Sequence, residues 1–325
     1  MCARKYSISS DENNMTTEKT YLYGPVPSRR LGLSLGVDVV PYKICSIDCI
    51  YCQLGRTTEK TIERRDLVPM EKVLAELKDK LAKGLKADFI TFSGSGEPTL
   101  NIRLGDFIEA VKDLTDIKIA VLTNGTLLYR EDVRADCAKA DVVLPSLDAA
   151  DEATFAKINR PHSQISIENH VEGLCAFRKQ FAGQIWLEVF IVKGINSSQG
   201  HIVRFKKLIE RIKPDRIQLN TAVRPTTLTD VKRLEPSALE KIANQLGAKA
   251  EVIADFQPAD YGKSIERDAE DVLSMLKRRP CSLEDICSGL GLTRNEVLKY
   301  IAHFQQEGCV DSQQRQGKVF FKAVI

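Results

Sequence analysis

Short apolar segments rich in β-branched residues alternate with longer segments of helical periodicity along most of this 325-residue chain. One helical segment has Val73 and Leu77 on one face and is predicted to end just before Gly84. Such alternation is typical of repeated β-α units around a parallel sheet. The predicted strands are residues 33–40, 87–94, 117–125, 141–148, 185–194 and 215–221, with a seventh apolar run at 252–256.

Six β-α units are too few for a complete eight-fold barrel. The sequence therefore predicts an α/β fold, a partial (β/α)6 TIM-like barrel, with an open doubly wound sheet as the alternative. Both architectures place their chemistry at the C-terminal ends of parallel strands. Small and polar residues cluster where the predicted strands stop, at 93–98, 123–125, 146–148 and 194–196. Ordinary turns also require such residues, so one cluster alone would not indicate a functional site. A site is indicated because all four clusters are expected at the same edge of the sheet.

The periodicity changes after residue 264. Residues 268–277 predict a helix, and Ser282 and Thr293, each followed three residues later by an acidic residue, have the spacing of capping boxes that begin two more helices. Residues 309–324 predict a hairpin in the position of a wing. We therefore expect a flexible tail (residues 1–20), a partial barrel (21–262) and a small C-terminal winged helix-turn-helix domain (265–325).

The charge balance and the hydropathy exclude several classes of protein. With 47 Lys and Arg residues against 44 Asp and Glu, the formal net charge is +3, which creates no strong demand for a polyanionic partner. No apolar run approaches the roughly 18 residues of a membrane-spanning helix, and the first residues lack the apolar core of a secretory signal. We expect a cytoplasmic protein without a membrane partner, whose nine cysteines serve as thiols or metal ligands.

Cys45, Cys49 and Cys52 lie close together, immediately after the first predicted strand. A structural zinc site is one explanation, but it requires four ligands, and the nearest histidine in the sequence is His162. Three thiolates also suit a [4Fe–4S] cluster, in which one iron then has no protein ligand and can bind an exchangeable molecule. That open iron would be a reaction site.

The spacing Cys-x3-Cys-x2-Cys, with Tyr51 just before the third cysteine, resembles the cluster loop of the radical SAM enzyme superfamily. The turn Ser95-Gly96-Glu97-Pro98 is similar to that family's Gly-Gly-Glu-Pro element, with Ser in place of the first Gly. In the family this turn receives the methionyl amino group of S-adenosylmethionine. The residue types agree with that role, because small residues let the backbone approach a ligand and Glu97 can accept hydrogen bonds from an ammonium group.

The resemblance implies further contacts with the cofactor. It places Ser146 and Asp148 near the ribose and residues 192–196 beside the adenine. A helix-capping role for Ser146 and a strand-ending role for Asp148 are equally open. The further predicted cofactor-binding residues at the strand ends are Asn124, Ser146, Asp148, Gly194, Ile195 and Asn196.

The resemblance also implies two cofactors, a [4Fe–4S] cluster and S-adenosylmethionine, and the reaction that they support. One electron passes to the sulfonium, the C5′–S bond breaks, and a 5′-deoxyadenosyl radical removes hydrogen from a substrate. Such a radical is indiscriminate, so the barrel must exclude water and fix the geometry of the substrate. A low-potential electron donor of the flavodoxin or ferredoxin type is implied as a partner.

Residues 24–32 and 158–162 are similar to a radical SAM group related to wyosine-type transfer-RNA modifying enzymes. Those synthases carry a second cysteine trio, whereas Cys2, Cys137 and Cys175 are dispersed here, so a pyruvate-using reaction is not expected. Cations in loops beside strand ends are predicted to face an anionic substrate. The predicted substrate residues are Arg29, Arg30, Arg160, Asn220 and Arg224.

Three hypotheses of function follow. The chain is a radical SAM enzyme that acts on an RNA base or nucleotide, one that modifies a peptide or protein docked on the winged helix, or an iron–sulfur-sensing transcription regulator. Residues 266–325 carry equal numbers of basic and acidic residues, whereas a DNA-binding domain of this size is normally basic. A sensor also has no need of six β-α units, which makes the regulator the weakest of the three.

Overall fold

The computed structural model describes residues 20–253, 269–315 and 317–324. The strands that precede the first gap are β1 (Leu22–Ser28), β2 (Gly32–Asp38), β3 (Ile44–Cys45), β4 (Glu59–Lys60), β5 (Phe89–Ser93), β6 (Lys118–Thr123), β7 (Val142–Pro145), β8 (Gln184–Ile191), β9 (Arg216–Thr221) and β10 (Ala250–Val252). The helices are α1 (Met70–Ala82), α2 (Leu104–Lys112), α3 (Glu131–Cys137), α4 (Glu152–Ile158), α5 (Ile167–Gln180), α6 (Gln199–Ile212) and α7 (Pro236–Leu246), with a 3-10 turn at Pro98–Leu100.

Eight strands form the main sheet in the order β1-β2-β5-β6-β7-β8-β9-β10. All neighbouring pairs are parallel except β1 and β2. The predicted α/β fold is therefore confirmed, and all six predicted strands form. Most of the predictions extended past the strand ends, because the small polar residues there belong to the following turns. The seventh predicted run shares only Val252 with β10, and its residues 254–256 lie outside the described part of the chain.

The sequence interpretation missed strand β1, which pairs antiparallel with β2 at the edge of the sheet. The segment contains Pro25 and Pro27, and proline is normally evidence against a strand because it cannot donate a ladder hydrogen bond. An edge position tolerates proline, since one side of an edge strand needs no partner. Sequence alone gives no sign that this segment is an edge.

Helix α1 illustrates how the helices pack against the sheet. Val73 and Leu77 are buried as predicted, and the chain leaves the helix through Gly84 at φ 77°. The N–H of Gly84 donates to the Leu81 carbonyl at 3.0 Å, and the next N–H donates to the Lys80 carbonyl at 3.1 Å, which is the Schellman pattern. Among the described residues, no helix is both long and apolar enough to cross a bilayer.

Strand β8 shows the two environments of the sheet. Leu187 and Val189 pack in the main hydrophobic core with residues of the helices, whereas Trp186 belongs to a separate small cluster on the other side of the sheet. Glu188 alternates with these residues and shares the side of Trp186. That inner side of the sheet is partly polar, so it can hold a polar molecule.

The described residues after the gap at 254–268 form what we call the C-terminal unit, residues 269–315 and 317–324. Its elements are α8 (Ala269–Arg278), β11 (Cys281–Ser282), α9 (Leu283–Leu290), α10 (Arg294–Gln306), β12 (Val310–Arg315) and β13 (Lys318–Ala323). Both predicted capping boxes, begun by Ser282 and Thr293, are confirmed. The predicted hairpin pairs β12 with β13. The winged helix-turn-helix class and the domain boundaries stay predictions, and residues 259–264 lie outside the described part.

The C-terminal unit packs against the barrel. Arg315 donates to the Val231 carbonyl at 2.6 Å, and Lys322 donates to the Leu54 carbonyl at 3.4 Å. Val26 of β1 packs against the hydrophobic cluster of the unit. The unit therefore covers β1 and the loops that follow the parallel strands.

We expect Gly173→Ala to lower the free energy of unfolding by about 1–3 kcal/mol, the usual cost of overpacking. A Cβ at Gly173 of α5 would lie 2.4 Å from the backbone nitrogen of Tyr129, which cannot move away as a side chain would. In α6, a Cβ at Gly200 would meet only the Arg204 side chain at 3.7 Å. Gly200→Ala should instead stabilise the protein by roughly 0.5–1 kcal/mol. Urea denaturation measures both changes, and equal stability of the two variants would contradict the packing described here.

Candidate functional site

The three clustered cysteines lie in one loop, residues 45–52, which begins at the last residue of the short strand β3. The N–H of Asp48 donates to the Asn159 carbonyl at 2.9 Å, at the end of α4. On its other side, the N–H of Thr227 donates to the Cys52 carbonyl at 2.9 Å. The loop is therefore held from two directions, by the segments that follow β7 and β9.

Each cysteine sulfur accepts a hydrogen bond from a different segment of the chain. The donor–sulfur distances are 3.2 Å from Lys43 Nζ to Cys52 Sγ, 3.4 Å from Asn159 Nδ2 to Cys49 Sγ and 3.6 Å from Asn124 Nδ2 to Cys45 Sγ. Hydrogen bonds to the sulfurs are among the features that set the potential of an iron–sulfur cluster. Asn124 was predicted to bind the cofactor, whereas Lys43 and Asn159 were missed, because their proximity to the sulfurs depends on the fold.

The chemistry of the three thiols fits a cluster. Burial raises the pKa of Cys45 to about 12 and that of Cys49 well above its usual range, so both would stay neutral without a metal. Bound metal deprotonates a thiol outright. In the described part of the chain, no group of three or more His, Cys, Asp and Glu side chains converges on a single metal ion. A [4Fe–4S] cluster binds its cysteines through separate irons and does not need that convergence.

The Ser95–Pro98 turn packs directly on the cysteine loop. The N–H of Lys43 donates to the Ser95 carbonyl at 2.6 Å, and the N–H of Glu97 donates to the Ile44 carbonyl at 3.0 Å. A Cβ at Gly96 would lie 2.1 Å from that Ile44 oxygen, so no other residue fits this position unchanged. The loop and the turn therefore form a single structural unit.

Glu97 is 2% exposed and accepts hydrogen bonds with both carboxylate oxygens. Oε1 accepts from the N–H and hydroxyl of Thr99 and from the hydroxyl of Thr123, and Oε2 accepts from the N–H of Asn124 at 2.7 Å. Burial raises the pKa of Glu97, and these donors oppose the rise. Pro98 begins the adjoining 3-10 turn. Glu97 thus joins the ends of β5 and β6, and its contact with a cofactor ammonium stays a prediction.

Asp148 joins the cysteine loop to β8. Its carboxylate accepts from the Tyr51 hydroxyl, from Asn159 Nδ2 at 2.7 Å and from the N–H of Phe190 at 3.0 Å. The Tyr51 and Phe190 rings stack with centroids 3.9 Å apart. Burial raises the pKa of Asp148 to about 6. The predicted contacts of Tyr51 and Asp148 with the cofactor stay predictions, and their observed role is to position the loop.

The predicted adenine segment follows β8. The Asn196 side chain is fully buried and bonds to three backbone groups, those of Val192, Phe190 and Asp148. Gly194 is exposed and Ile195 is half-buried. Ser146 forms an isolated bridge with Glu188. The Asn196 side chain therefore stabilises the conformation of the turn after β8. The contacts of this segment with the cofactor stay predictions.

Four of the five predicted substrate residues lie together on the inner side of the sheet or beside it. Arg30 forms an ion pair with Glu188 of β8. Arg29 donates to Asn220 Oδ1 at 3.2 Å, and Asn220 Nδ2 donates to Glu188 Oε1 at 2.8 Å. Glu188 itself was missed, because a charged residue inside a predicted strand gave no signal of an ion pair.

The remaining two predicted residues are Arg224, the fourth member of this group, and Arg160. Arg224 is buried and donates to Asp285 of the C-terminal unit at 3.1 Å. Its charge also influences the pKa of Arg29, so it belongs to the same group. Arg160 lies apart, with its guanidinium 4.0 Å from Asp48 on the cysteine loop.

The C-terminal unit reaches the Ser95–Pro98 turn through Arg278. Its guanidinium pairs with Asp38 and donates to the Ser95 hydroxyl at 2.7 Å, and that hydroxyl donates to Asp38 at 2.7 Å. The departure of this turn from Gly-Gly-Glu-Pro thus has a structural reason, since the serine supplies the hydroxyl. No local sequence pattern could reveal this contact, because Arg278 and Asp38 are 240 residues apart.

Comparison with known proteins agrees with this geometry. The family model described as the Radical SAM superfamily matches residues 39–209, which contain the cysteine loop, the Ser95–Pro98 turn and Asp148. The chain therefore belongs to the radical SAM superfamily. It is a radical SAM enzyme, and its cofactors are a [4Fe–4S] cluster and S-adenosylmethionine.

Among curated proteins, a UPF0026 protein of Methanocaldococcus jannaschii is 35% identical over 311 residues, covering 93% of this chain and 95% of the relative. A protein of Brachyspira hyodysenteriae named GTPase Obg is 37% identical over 292 residues. That match covers 89% of this chain but only 43% of the Brachyspira protein. The chain thus spans less than half of that relative and nearly the whole of the UPF0026 protein.

Solved structures show the same fold at low identity. TYW1 with a bound lysine–pyruvate adduct superimposes with a TM-score of 0.51 at 23% identity, over 66% of this chain and 72% of TYW1. Streptococcus suis SuiB bound to its precursor peptide SuiA gives a TM-score of 0.53 at 16% identity, over 67% and 48% of the two chains. At these identities the similarity shows the fold alone.

We expect Cys49→Ala to abolish cluster assembly, because two thiolates do not retain the cluster. Anaerobic reconstitution followed by iron and sulfide analysis and visible absorption measures the loss. Cys175→Ala is the matched control, since Cys175 is a free cysteine on α5, outside the loop. Full iron content in Cys49→Ala, or equal loss in both variants, would contradict the assignment of the ligands.

We expect Lys43→Met to shift the reduction potential of the cluster to more negative values, on the order of 60 mV. Lys43 is 3% exposed, and its ammonium lies 3.2 Å from Cys52 Sγ, where it would stabilise the additional negative charge of a reduced cluster. A redox titration followed by electron paramagnetic resonance measures the shift.

Lys43→Arg keeps the positive charge and should stay close to the wild-type potential. Lys86→Met removes an exposed lysine that precedes β5, at the opposite edge of the sheet, and should change nothing. An unchanged potential in Lys43→Met would show that this ammonium does not act on the cluster.

Proposed function

We propose that this enzyme binds its [4Fe–4S] cluster through Cys45, Cys49 and Cys52, cleaves S-adenosylmethionine reductively and removes hydrogen from a nucleotide or RNA base held inside the barrel. When bound, the cluster and S-adenosylmethionine supply the electron and the 5′-deoxyadenosyl radical. The residues of the chain hold both cofactors, exclude water and orient the substrate.

The packing of the Ser95–Pro98 turn on the cysteine loop supports the cofactor part of this proposal. Its backbone lies next to the candidate ligands, as cofactor binding at an open iron requires. An apolar cluster that includes Ile50, Phe190 and Val192, with Tyr51 packed against it, borders the loop. Such a border limits access of water to a radical.

The observation that carries the substrate class is the excess of positive charge on the inner side of the sheet. Arg29 and Arg30 meet there, and Glu188 is the carboxylate with which they associate in the described residues. Burial of a cation without a matching anion is costly, so an anionic substrate would be favoured. A nucleotide or RNA supplies that charge, whereas an uncharged peptide segment does not.

We also propose an electron donor of the flavodoxin or ferredoxin type, which would place the enzyme in the cytoplasm. Arg56 and Lys60 are exposed just beyond the third cysteine. Exposed cations beside the cysteine loop would attract a donor with an acidic face and raise its rate of association.

The test is the formation of 5′-deoxyadenosine from S-adenosylmethionine by reconstituted, dithionite-reduced protein under anaerobic conditions. Purified nucleotide, RNA and peptide fractions of cells are then added separately. We expect the nucleotide or RNA fraction to increase the rate about tenfold or more, which corresponds to about 1.4 kcal/mol. No 5′-deoxyadenosine from protein with an intact cluster would leave the regulator hypothesis, and an increase with peptides alone would favour a peptide substrate.

A further inference from the structure

Arg29 lies within electrostatic reach of three other arginines where the inner side of the sheet meets the C-terminal unit, which makes a group of four. They are Arg29 and Arg30 from the turn between β1 and β2, Arg224 from the segment after β9, and Arg279 from the C-terminal unit. Burial lowers the pKa of Arg29 to about 9, and the charges of Arg224, Arg30 and Arg279 contribute to the shift. The pKa of Arg224 is likewise lowered, first by burial and then by Arg279.

The carboxylates of the described residues do not neutralise this group. Glu188 pairs with Arg30, and Asp285 pairs with Arg224. Four guanidinium groups against two carboxylates leave two positive charges within the described part of the chain. Guanidinium groups keep their charge inside proteins, so the excess calls for an anion rather than for deprotonation.

Arg224 also has hydrogen-bond donors without acceptors. The residue is 5% exposed, and its Nη2 donates to Asp285. Its Nε and Nη1 are buried and have no hydrogen-bond partner in the described structure. An unmet buried donor is costly, and the planar guanidinium fork matches the paired oxygens of a phosphate or carboxylate.

We propose that Arg29, Arg224 and Arg279 form a subsite for a phosphate group of the substrate. This rests on the proposed function, since it takes the molecule held in the barrel to be a nucleotide. Two uncompensated charges favour phosphate over carboxylate, because a phosphate monoester carries about −1.5 to −2 near neutral pH. The phosphate would belong either to a free nucleotide or to the backbone of an RNA.

The subsite joins both parts of the molecule. Arg29 bridges the two ends of the sheet, with donors to Asn220 of β9 and to the Ile253 carbonyl that follows β10. Arg279, together with Asp285, comes from the C-terminal unit. The unit therefore completes the substrate site, in addition to its contact with the Ser95–Pro98 turn.

The experiment is calorimetric titration of full-length, cluster-loaded protein with pyrophosphate and with inorganic phosphate, without S-adenosylmethionine or reductant. We expect binding that Arg224→Gln and Arg279→Gln each weaken tenfold or more, equal to about 1.4 kcal/mol. Arg211→Gln is the matched control, because Arg211 is a partly exposed arginine of α6 paired with Glu172. It should bind the anions as the wild type does.

Arg224→Gln also leaves Asp285 without its partner, so the folding of both variants is followed by thermal unfolding. Pyrophosphate should raise the unfolding temperature of the wild type and of Arg211→Gln. Pyrophosphate should not raise the unfolding temperature of Arg279→Gln. This variant is the cleaner test, because the described structure gives Arg279 no carboxylate partner that the substitution would leave unpaired. Arg279→Lys, which keeps the charge, should recover part of the response. An equal response in the wild type and Arg279→Gln would overturn the subsite.

Competition with pyrophosphate distinguishes the two sources of phosphate. Competition by nucleoside 5′-monophosphates but not by nucleosides would assign a free nucleotide. Competition by single-stranded RNA without terminal phosphates would assign an RNA backbone. Absence of binding by every probe would overturn the subsite, while 5′-deoxyadenosine formation would still support the proposed function. Phosphate binding without 5′-deoxyadenosine would support the subsite and contradict the proposed reaction.

Discussion

Two buried carboxylates, Glu97 and Asp148, hold the cysteine loop at the C-terminal edge of the sheet. Glu97 accepts from the N–H of Asn124, whose side chain donates to Cys45 Sγ, and Asp148 accepts from the side chain of Asn159, which also donates to Cys49 Sγ. Each carboxylate thus acts on a sulfur through an asparagine. Because a buried carboxylate is costly without donors, these hydrogen bonds favour a single position of the loop.

This arrangement explains why the site combines polar and apolar surroundings. The carboxylates and asparagines fix the positions of the thiols, while Tyr51 and Phe190 stack beside them. Lys43 adds a positive charge at the third cysteine. This combination would suit a strongly reducing reaction, because the polar network would hold the thiols that bind the cluster while the apolar packing would limit access of water to a radical formed beside it.

The sequence predicted the sheet and the cysteine loop because both depend on local patterns. Strand periodicity repeats within a few residues, and the spacing of the three cysteines lies in a single loop. Strand β1 was not predicted, because its prolines argue against a strand unless the strand lies at an edge. That edge position depends on the whole sheet and not on the local sequence. Glu97 and Asp148 were recognised as important residues, but their donors come from distant segments. The contact of Arg278 with Asp38 spans 240 residues and has no local signature.

The hydroxyl of Ser95 has a consequence for the evolution of this chain. It connects the Asp38 carboxylate of β2 with the Arg278 guanidinium of the C-terminal unit. A relative that lost or exchanged this unit would leave the Asp38 carboxylate without its countercharge, next to the Ser95–Pro98 turn. Positions 38, 95 and 278 should therefore vary together among homologues, and a barrel inherited without this partner should have an uncharged residue at position 38 and glycine at position 95.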